Sequence, residues 1–144
     1  MFEVTLKIKY LRDIKPVTID ARSDWIDLRA AETVTLEPFE YKEIPLGIAI
    51  EMPELYEALI IPRSSLYKKW GIICANSMGL IDYCYKGDND ELHFLALALR
   101  KTTIHKNDRI AQFRLLQHMP NVKITVVKTL GNEDRNGIGS TGEN

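Results

Sequence analysis

HFLALAL, residues 93–99, is the stretch on which the fold class turns. Its leucines and alanines favour a helix locally. It is short for a helix, however, and equally compatible with a strand. RIAQFRLL, residues 109–116, follows with the same character, so both are read as strands. Outward from this pair, most of the chain alternates. Phe2, Val4, Leu6, Ile8 and Tyr10 are apolar positions of a half-buried strand. Residues 26–30 and 33–36 are short strands, the second closed by Pro38. Ile44, Leu46, Ile48 and Ile50 predict one strand over 43–52, ended by Pro53. Residues 58–62 are an apolar strand, and 66–70 make the best helical turn. Residues 72–75 and 80–81 are expected to flank a hairpin, and Val122, Ile124 and Val126 alternate once more. Many short strands between turn signals predict an all-β sandwich or barrel.

Composition sets the outer bounds. The 144 residues suffice for one domain with a core of its own. A net charge of −1 offers no global basic field to a nucleic acid, so an anion must be held by local arginines, N–H groups or a metal. No apolar run approaches the roughly 20 residues that span a bilayer. The opening MFEVTLKIKY lacks the basic and apolar blocks of a signal peptide, and Cys74 and Cys84 make no disulfide framework. A cytoplasmic protein is the expectation. Residues 1–130 are read as the domain. Residues 131–144 are polar, glycine-rich and expected to form a flexible arm.

Local chemistry gathers in a few segments. GLIDYCYKGD, residues 79–88, reads as a strand, a tight hairpin and a return strand carrying one acid, Asp82, and one ring, Tyr85. In PRSSL, residues 62–66, an arginine and two hydroxyls at a strand end make a phosphate cradle. In RIAQ, residues 109–112, alternation turns Ile110 to the core and Arg109 and Ala111 away from it. Asp24 and Asp27 flank Trp25, with spacing that suits a hard cation such as Mg²⁺. GIGSTG, residues 137–142, looks like a glycine-rich phosphate loop without the Walker lysine. The three histidines have no zinc spacing.

DWIDLRA (24–30), PRSSL with Gly71 following, NSMGLIDYCYKGD (76–88), RIAQ and GIGSTG occur in an order and spacing that resemble the five motifs of the trimeric dUTPase family. The resemblance runs from about residue 22 to 142 and looks like the bacterial or bacteriophage branch. It implies a jelly-roll β fold and a homotrimer with active sites between subunits, where the arm of one subunit closes over another's site. The implied reaction takes dUTP and water to dUMP and pyrophosphate, which clears dUTP and supplies dUMP for dTMP synthesis. Asp82 would deprotonate the water that attacks the α-phosphorus. Asn76, Gly79, Leu80 and Ile81 would face the uracil. Tyr85 would pack under the deoxyribose and exclude a 2′-hydroxyl. Ser64, Ser65 and Gln112 would bind phosphate oxygens, and Arg63 would bind phosphate or orient Asp82. Arg135, Ser140 and Thr141 of the arm would bind the terminal phosphates, with Ile138 and Gly139 over the nucleotide. Mg²⁺ on the triphosphate would reach Asp27 through water.

Two departures stand out. Asp24-Trp25 replaces the small pair that usually precedes the first motif's acid. Ile138 replaces the aromatic lid of the last motif, and Asn136 replaces its first glycine. Isoleucine covers a base by apolar contact but cannot stack as a ring. His93 and Phe94, and less so Trp25, are expected to supply the missing ring. Two other readings compete with this one. One is a dCTP deaminase of the same fold superfamily. The other is a nucleotide-responsive regulator that binds a partner protein.

Overall fold

The structure, a computed structural model, describes residues 2–139 and 142. The described strands are β1 (Lys7–Tyr10), β2 (Ile26–Arg29), β3 (Val34–Leu36), β4 (Tyr41–Pro45), β5 (Ile48–Glu51), β6 (Tyr56–Pro62), β7 (Ile72–Cys74), β8 (Gly79–Ile81), β9 (His93–Ala98), β10 (Thr102–Ile104) and β11 (Arg109–Gln117). One short helix, α1 (Leu66–Trp70), lies between β6 and β7. Every ladder is antiparallel. The strands form sheets ordered β2-β11-β6-β8, β4-β9-β7, β1-β5 and β10-β3. The result is a distorted jelly-roll: the alternating pattern predicts an all-β sandwich or barrel, and the family resemblance implies the jelly-roll.

HFLALA is indeed a strand. Phe94, Ala96 and Ala98 are buried and alternate with half-buried neighbours. β9 is the middle strand of its sheet, with Ile44 opposite Phe94 and Leu97 opposite Ile73. Two flanking strands satisfy its backbone and outweigh the helix preference of Leu and Ala. Phe94 and Phe113 are the largest side chains in a core that also holds Leu28, Ile44, Ile60 and Ile104.

Five expectations need correction. The N-terminal strand is confined to Lys7–Tyr10, because only these residues find a partner, in β5. The strand expected over 43–52 is two strands in different sheets. The chain turns at Gly47, whose φ is +80°, and a Cβ there would lie 3.0 Å from Ile14 Cδ1 and 3.1 Å from Ala31 Cβ. Only glycine fits both conditions. The segment 79–88 is no hairpin. β8 pairs with β6, β7 pairs with β9, and no return strand follows Ile81. A turn closed by Tyr85 N–H on Asp82 C=O (3.0 Å) takes the chain away instead. Val122, Ile124 and Val126 alternate but form no strand, since nothing among the described residues pairs with them, and all three are exposed.

The fifth correction is in β11. Arg109 pairs with Arg29 and Ala111 with Leu28, so the register slips by one residue at Ile110. Ile110 and Ala111 are therefore both fully buried. Simple alternation fails at such a bulge.

The burial of Phe94 yields a stability prediction. Phe94→Ala should cost about 3–5 kcal/mol, read as a lowered urea midpoint at unchanged slope. A variant as stable as the parent would show that the ring is not a core element.

Candidate functional site

The bulge decides what faces outward on β11. If Ile110 simply began an alternating run, residue 112 would point inward. The slip instead puts Ala111 and Phe113 in the core and leaves Gln112 half-buried, directly opposite Asp27 of β2. Opposed residues of an antiparallel pair project from the same face. β6 lies on the other side of β11, with Pro62 opposite Ala111. Arg63 N–H then donates to Ile110 C=O (3.2 Å), which starts the Arg63-Ser64-Ser65 turn. Three strands thus deliver Asp27, Gln112, Arg63 and Ser64 to one place.

They line a hollow of about 240 Å³, together with Trp25, Arg29, Asp20 and Arg109. Arg63 Nε lies 3.1 Å from Asp27 Oδ1, and Arg109 Nη1 lies 3.3 Å from Asp27 Oδ2. One carboxylate is shared by two guanidiniums. Gln112 Nε2 donates to Pro62 C=O (3.1 Å) and Arg29 Nη1 to Asn107 C=O (2.8 Å). Ser65 stands at the N-cap position of α1, yet its hydroxyl makes no capping bond. Arg22 holds the Asp20 carboxyl below its ordinary range by side-chain and backbone hydrogen bonds, and Arg109 adds to the effect. Three guanidiniums against two carboxylates line the hollow, so it is locally positive although the chain as a whole is slightly negative. Fork-shaped donors of this kind match phosphate oxygens.

A second hollow lies along β8. Asn76, Gly79, Leu80, Ile81, Tyr85, Glu91 and His93 contribute to it. Tyr85 O–H donates to Glu91 C=O (2.8 Å), and burial first, then Asp90 and Glu91, push the phenol up from its ordinary value. Asp82 follows β8 directly and is exposed. Lys86 Nζ sits 3.6 Å from the Tyr83 ring centre, a cation–π contact that holds the far side of the turn. Cys74 donates its thiol proton to Asn76 Oδ1 (3.0 Å), and burial raises its pKa. Cys84 is exposed.

Most site residues expected from the sequence therefore fall into two groups. Asp27, Arg63, Ser64 and Gln112 meet at one hollow, with Ser65 in the adjoining turn. Asn76, Gly79, Leu80, Ile81 and Tyr85 meet at the other, with Asp82 adjoining. Of the two roles open to Arg63, orienting Asp82 within its own chain fails, since its guanidinium pairs with Asp27. Arg135, Ile138 and Gly139 are exposed on the arm. Ser140 and Thr141 lie outside the described residues.

Phe94 is not a lid. Its ring is 1 % exposed and belongs to the core. His93, the next residue on the strand, points the other way and lines the second hollow, its Nδ1 2.9 Å from Glu91 C=O. Trp25 lines the phosphate-type hollow instead, with Arg114 5.2 Å from its ring centre. Sequence reasoning missed Arg29 and Arg109. Arg109 was visible in RIAQ as an outward-facing cation, but its pairing with Asp27 depends on a strand order that no local pattern contains.

An antiparallel jelly-roll that carries a guanidinium-rich hollow and a strand-edge hollow with a single acid is the class this geometry defines. The family model described as dUTPase matches residues 21–142. The SPbeta prophage-derived deoxyuridine 5′-triphosphate nucleotidohydrolase YosS of Bacillus subtilis is 54 % identical over 138 residues, covering 95 % of this chain and 97 % of that one. The deoxyuridine 5′-triphosphate nucleotidohydrolase of Finegoldia magna is 41 % identical over 83 % of this chain and 85 % of its own. Among solved structures, a Staphylococcus bacteriophage 80alpha dUTPase mutant with dUpNHpp superposes with a TM-score of 0.81 at 23 % identity, over 96 % of this chain and 99 % of that one. A dUTPase mutant from phage phi11 of S. aureus, described with a structural Mg(II) ion, superposes at 0.76 with 21 % identity, over 89 % and 99 %. The chain belongs to the dUTPase family, and the matches favour neither the deaminase nor the regulator reading.

The paired guanidiniums give a binding prediction. Arg63→Ala should weaken metal-free pyrophosphate binding by roughly 10- to 100-fold, the worth of a hydrogen bond to a charged group. Calorimetric titration checks it, and an unchanged affinity would remove Arg63 from the anion site.

Proposed function

We propose that this chain hydrolyses dUTP to dUMP and pyrophosphate at sites assembled from more than one copy of itself, in a cytoplasmic homotrimer. The supporting observation is the distance between the two hollows. Ile81 pairs with Ala58 on β6, so Asp82 continues past Ala58 toward Glu57. Ser64 lies six residues beyond Ala58 in the other direction. Four of those six residues are on β6, which ends at Pro62, so at about 3.3 Å per strand residue the ladder alone separates the two by roughly 13 Å. A water-activating acid and a phosphate cradle that act on one phosphorus must be neighbours. This separation supports a site completed by a second chain. The unpaired, exposed Val122, Ile124 and Val126 and the exposed Leu130 give such an assembly apolar surface to bury.

In this reading Asp82 hydrogen-bonds and deprotonates the attacking water, at an open strand end where solvent reaches it. The backbone of Gly79, Leu80 and Ile81 and the Asn76 amide offer the uracil edge donors and acceptors in fixed positions. Cytosine exchanges those positions and leaves buried polar groups unpaired. Tyr85 lies under the deoxyribose, and His93 adds a half-buried wall. Arg63, Ser64, Ser65 and Gln112 of another copy hold phosphate oxygens. Arg135, Ser140 and Thr141 of the arm hold the terminal phosphates, while Ile138 and Gly139 cover the nucleotide.

Among the described residues no group of three or more His, Cys, Asp and Glu could hold a metal. A lone carboxylate between two arginines suits a Mg²⁺ that arrives on the triphosphate and contacts Asp27 through water, because Mg²⁺ takes few protein ligands. The ion would neutralise phosphate charge.

The test is pyrophosphate release from dUTP, dCTP, dTTP and UTP in parallel, with and without Mg²⁺. Release from dUTP alone is expected, and ammonia from dCTP would overturn the reading. Asp82→Asn should lower kcat about 10²- to 10⁴-fold with nucleotide binding kept. Mixing Asp82→Asn chains with Arg63→Ala chains should restore part of the activity, since some sites then receive both native residues. Mixtures no more active than their components would mean that each chain closes its own site.

A further inference from the structure

We infer that Arg12, acting through Glu91, is a positioning residue for Tyr85 and thereby helps set discrimination between deoxyribose and ribose. The inference rests on the reading of Tyr85 as the ring beneath the sugar. The contacts are continuous. Arg12 grips Glu91 with a fork, Nε to Oε2 at 2.8 Å and Nη2 to Oε1 at 3.2 Å. Gly47 N–H donates to the same Oε2 (3.0 Å). Glu91 is the inner member of this group, with its side chain 12 % exposed. Its main-chain carbonyl is in turn the acceptor for the Tyr85 hydroxyl at 2.8 Å and lies 2.9 Å from His93 Nδ1.

The chain has few other ways to hold this ring. Residues 82–92 form no strand, and Tyr85 is partly exposed. The loop is tied internally by Asp90, whose carboxylate accepts from Gly87 N–H (2.8 Å). From outside it is tied by Lys9 Nζ on Asp88 C=O (3.1 Å), by the Arg12 fork, and by Leu92, whose N–H shares a peptide with the Glu91 carbonyl and donates to Ile48 C=O (2.9 Å). Both cations come from the N-terminal segment, 79 residues away in sequence. Arg12 also reaches Glu32 Oε2 (3.3 Å), so its guanidinium is braced on both sides. A bidentate arginine–carboxylate pair fixes direction as well as distance. Here it fixes the Glu91 side chain and so works with the Leu92–Ile48 backbone bond to hold the carbonyl from which the tyrosine ring hangs.

A ring that excludes a 2′-hydroxyl must stand within a few tenths of an ångström of its place, because a steric barrier softens quickly as the wall recedes. Loosening the anchor should therefore admit UTP more than it harms dUTP. The experiment measures kcat/KM for dUTP and for UTP in Tyr85→Phe, Arg12→Ala, Arg12→Lys and Tyr85→Ala, with melting curves alongside. Tyr85→Phe removes only the hydroxyl. It should lower the dUTP/UTP ratio about five- to tenfold, the worth of one hydrogen bond. Arg12→Ala should lower the ratio similarly, with Arg12→Lys in between, since a lysine keeps the charge and loses the fork. A merely structural Arg12 would depress both substrates in parallel and leave the ratio unmoved, and that result overturns the inference. If Arg12→Ala does not fold, Tyr85→Phe decides alone, and an unchanged ratio there overturns it equally. Tyr85→Ala tests the underlying reading. A collapse of the ratio there, with Tyr85→Phe unmoved, leaves the sugar gate standing and removes only the anchor. An unmoved ratio in Tyr85→Ala removes the gate itself.

Discussion

The extra residue at Ile110 in β11 is the constraint on which the phosphate-type hollow depends. Without it, Gln112 would share a face with Ile110 and point into the core. With it, Gln112 stands opposite Asp27, while on the other edge the β6 register carries on past Pro62 and Arg63 N–H donates to Ile110 C=O where the serine turn begins. A bulge costs ladder regularity, and this one is held by two fully buried neighbours, Ile110 and Ala111. Core packing therefore sets the direction of polar side chains on the opposite face.

β6 then sets the scale. Its ladder with β11 runs from Pro62 to Tyr56 without interruption, and β8 joins its other edge only between Ala58 and Ile60. Anion-binding groups cluster at one end and the acid at the other. A β-ladder does not shorten, so within one copy the strand ends that carry the two hollows keep their separation. In the proposed reading, a closed assembly lets each copy lend one half of a site to a neighbour. Electrostatics fits the same division. The chain has a net charge of −1, yet guanidiniums are gathered at the phosphate end. In the proposed reading this local excess would face the polyphosphate, although the chain as a whole is slightly negative.

Much of this was legible in the sequence, and the failures share one cause. The 3.6 versus 2 ambiguity of HFLALAL resolves correctly once RIAQFRLL is taken as its analogue, since both are core strands. Four of the five motifs also sort themselves, because each sits on a strand end or in an adjoining turn, while the fifth, at 137–142, lies beyond the last described strand. The partner of each strand was not legible. Residues 43–52 alternate perfectly and still break at Gly47, because the two halves belong to different sheets. Residues 79–88 look like a hairpin, yet β8 finds β6. Val122, Ile124 and Val126 have the pattern of a strand with no partner among the described residues. His93 and Phe94 were equal lid candidates in sequence, and the pleat alone separates a wall residue from a core residue. Alternation describes a strand's faces and carries no information about which edge it joins.

The missing aromatic at Ile138 bears on how selectivity is divided. Gly131, Gly137 and Gly139 have positive φ, and a Cβ at any of them would meet nothing within 4 Å. Ordering such an arm costs on the order of 1–2 kcal/mol per residue in backbone entropy. An isoleucine at its tip returns apolar contact without the geometric demand of a stacked ring. A roof of this kind can exclude water and bring in phosphate ligands, but it reads shape poorly. In the proposed reading, base and sugar would then be read by elements that the fold itself holds: the β8 backbone, paired with Ala58, Leu59 and Ile60, and the Tyr85 ring, hung from the Glu91 carbonyl. A softer lid asks for a more firmly held floor, and the Arg12–Glu91 fork and the Leu92–Ile48 backbone bond both hold it.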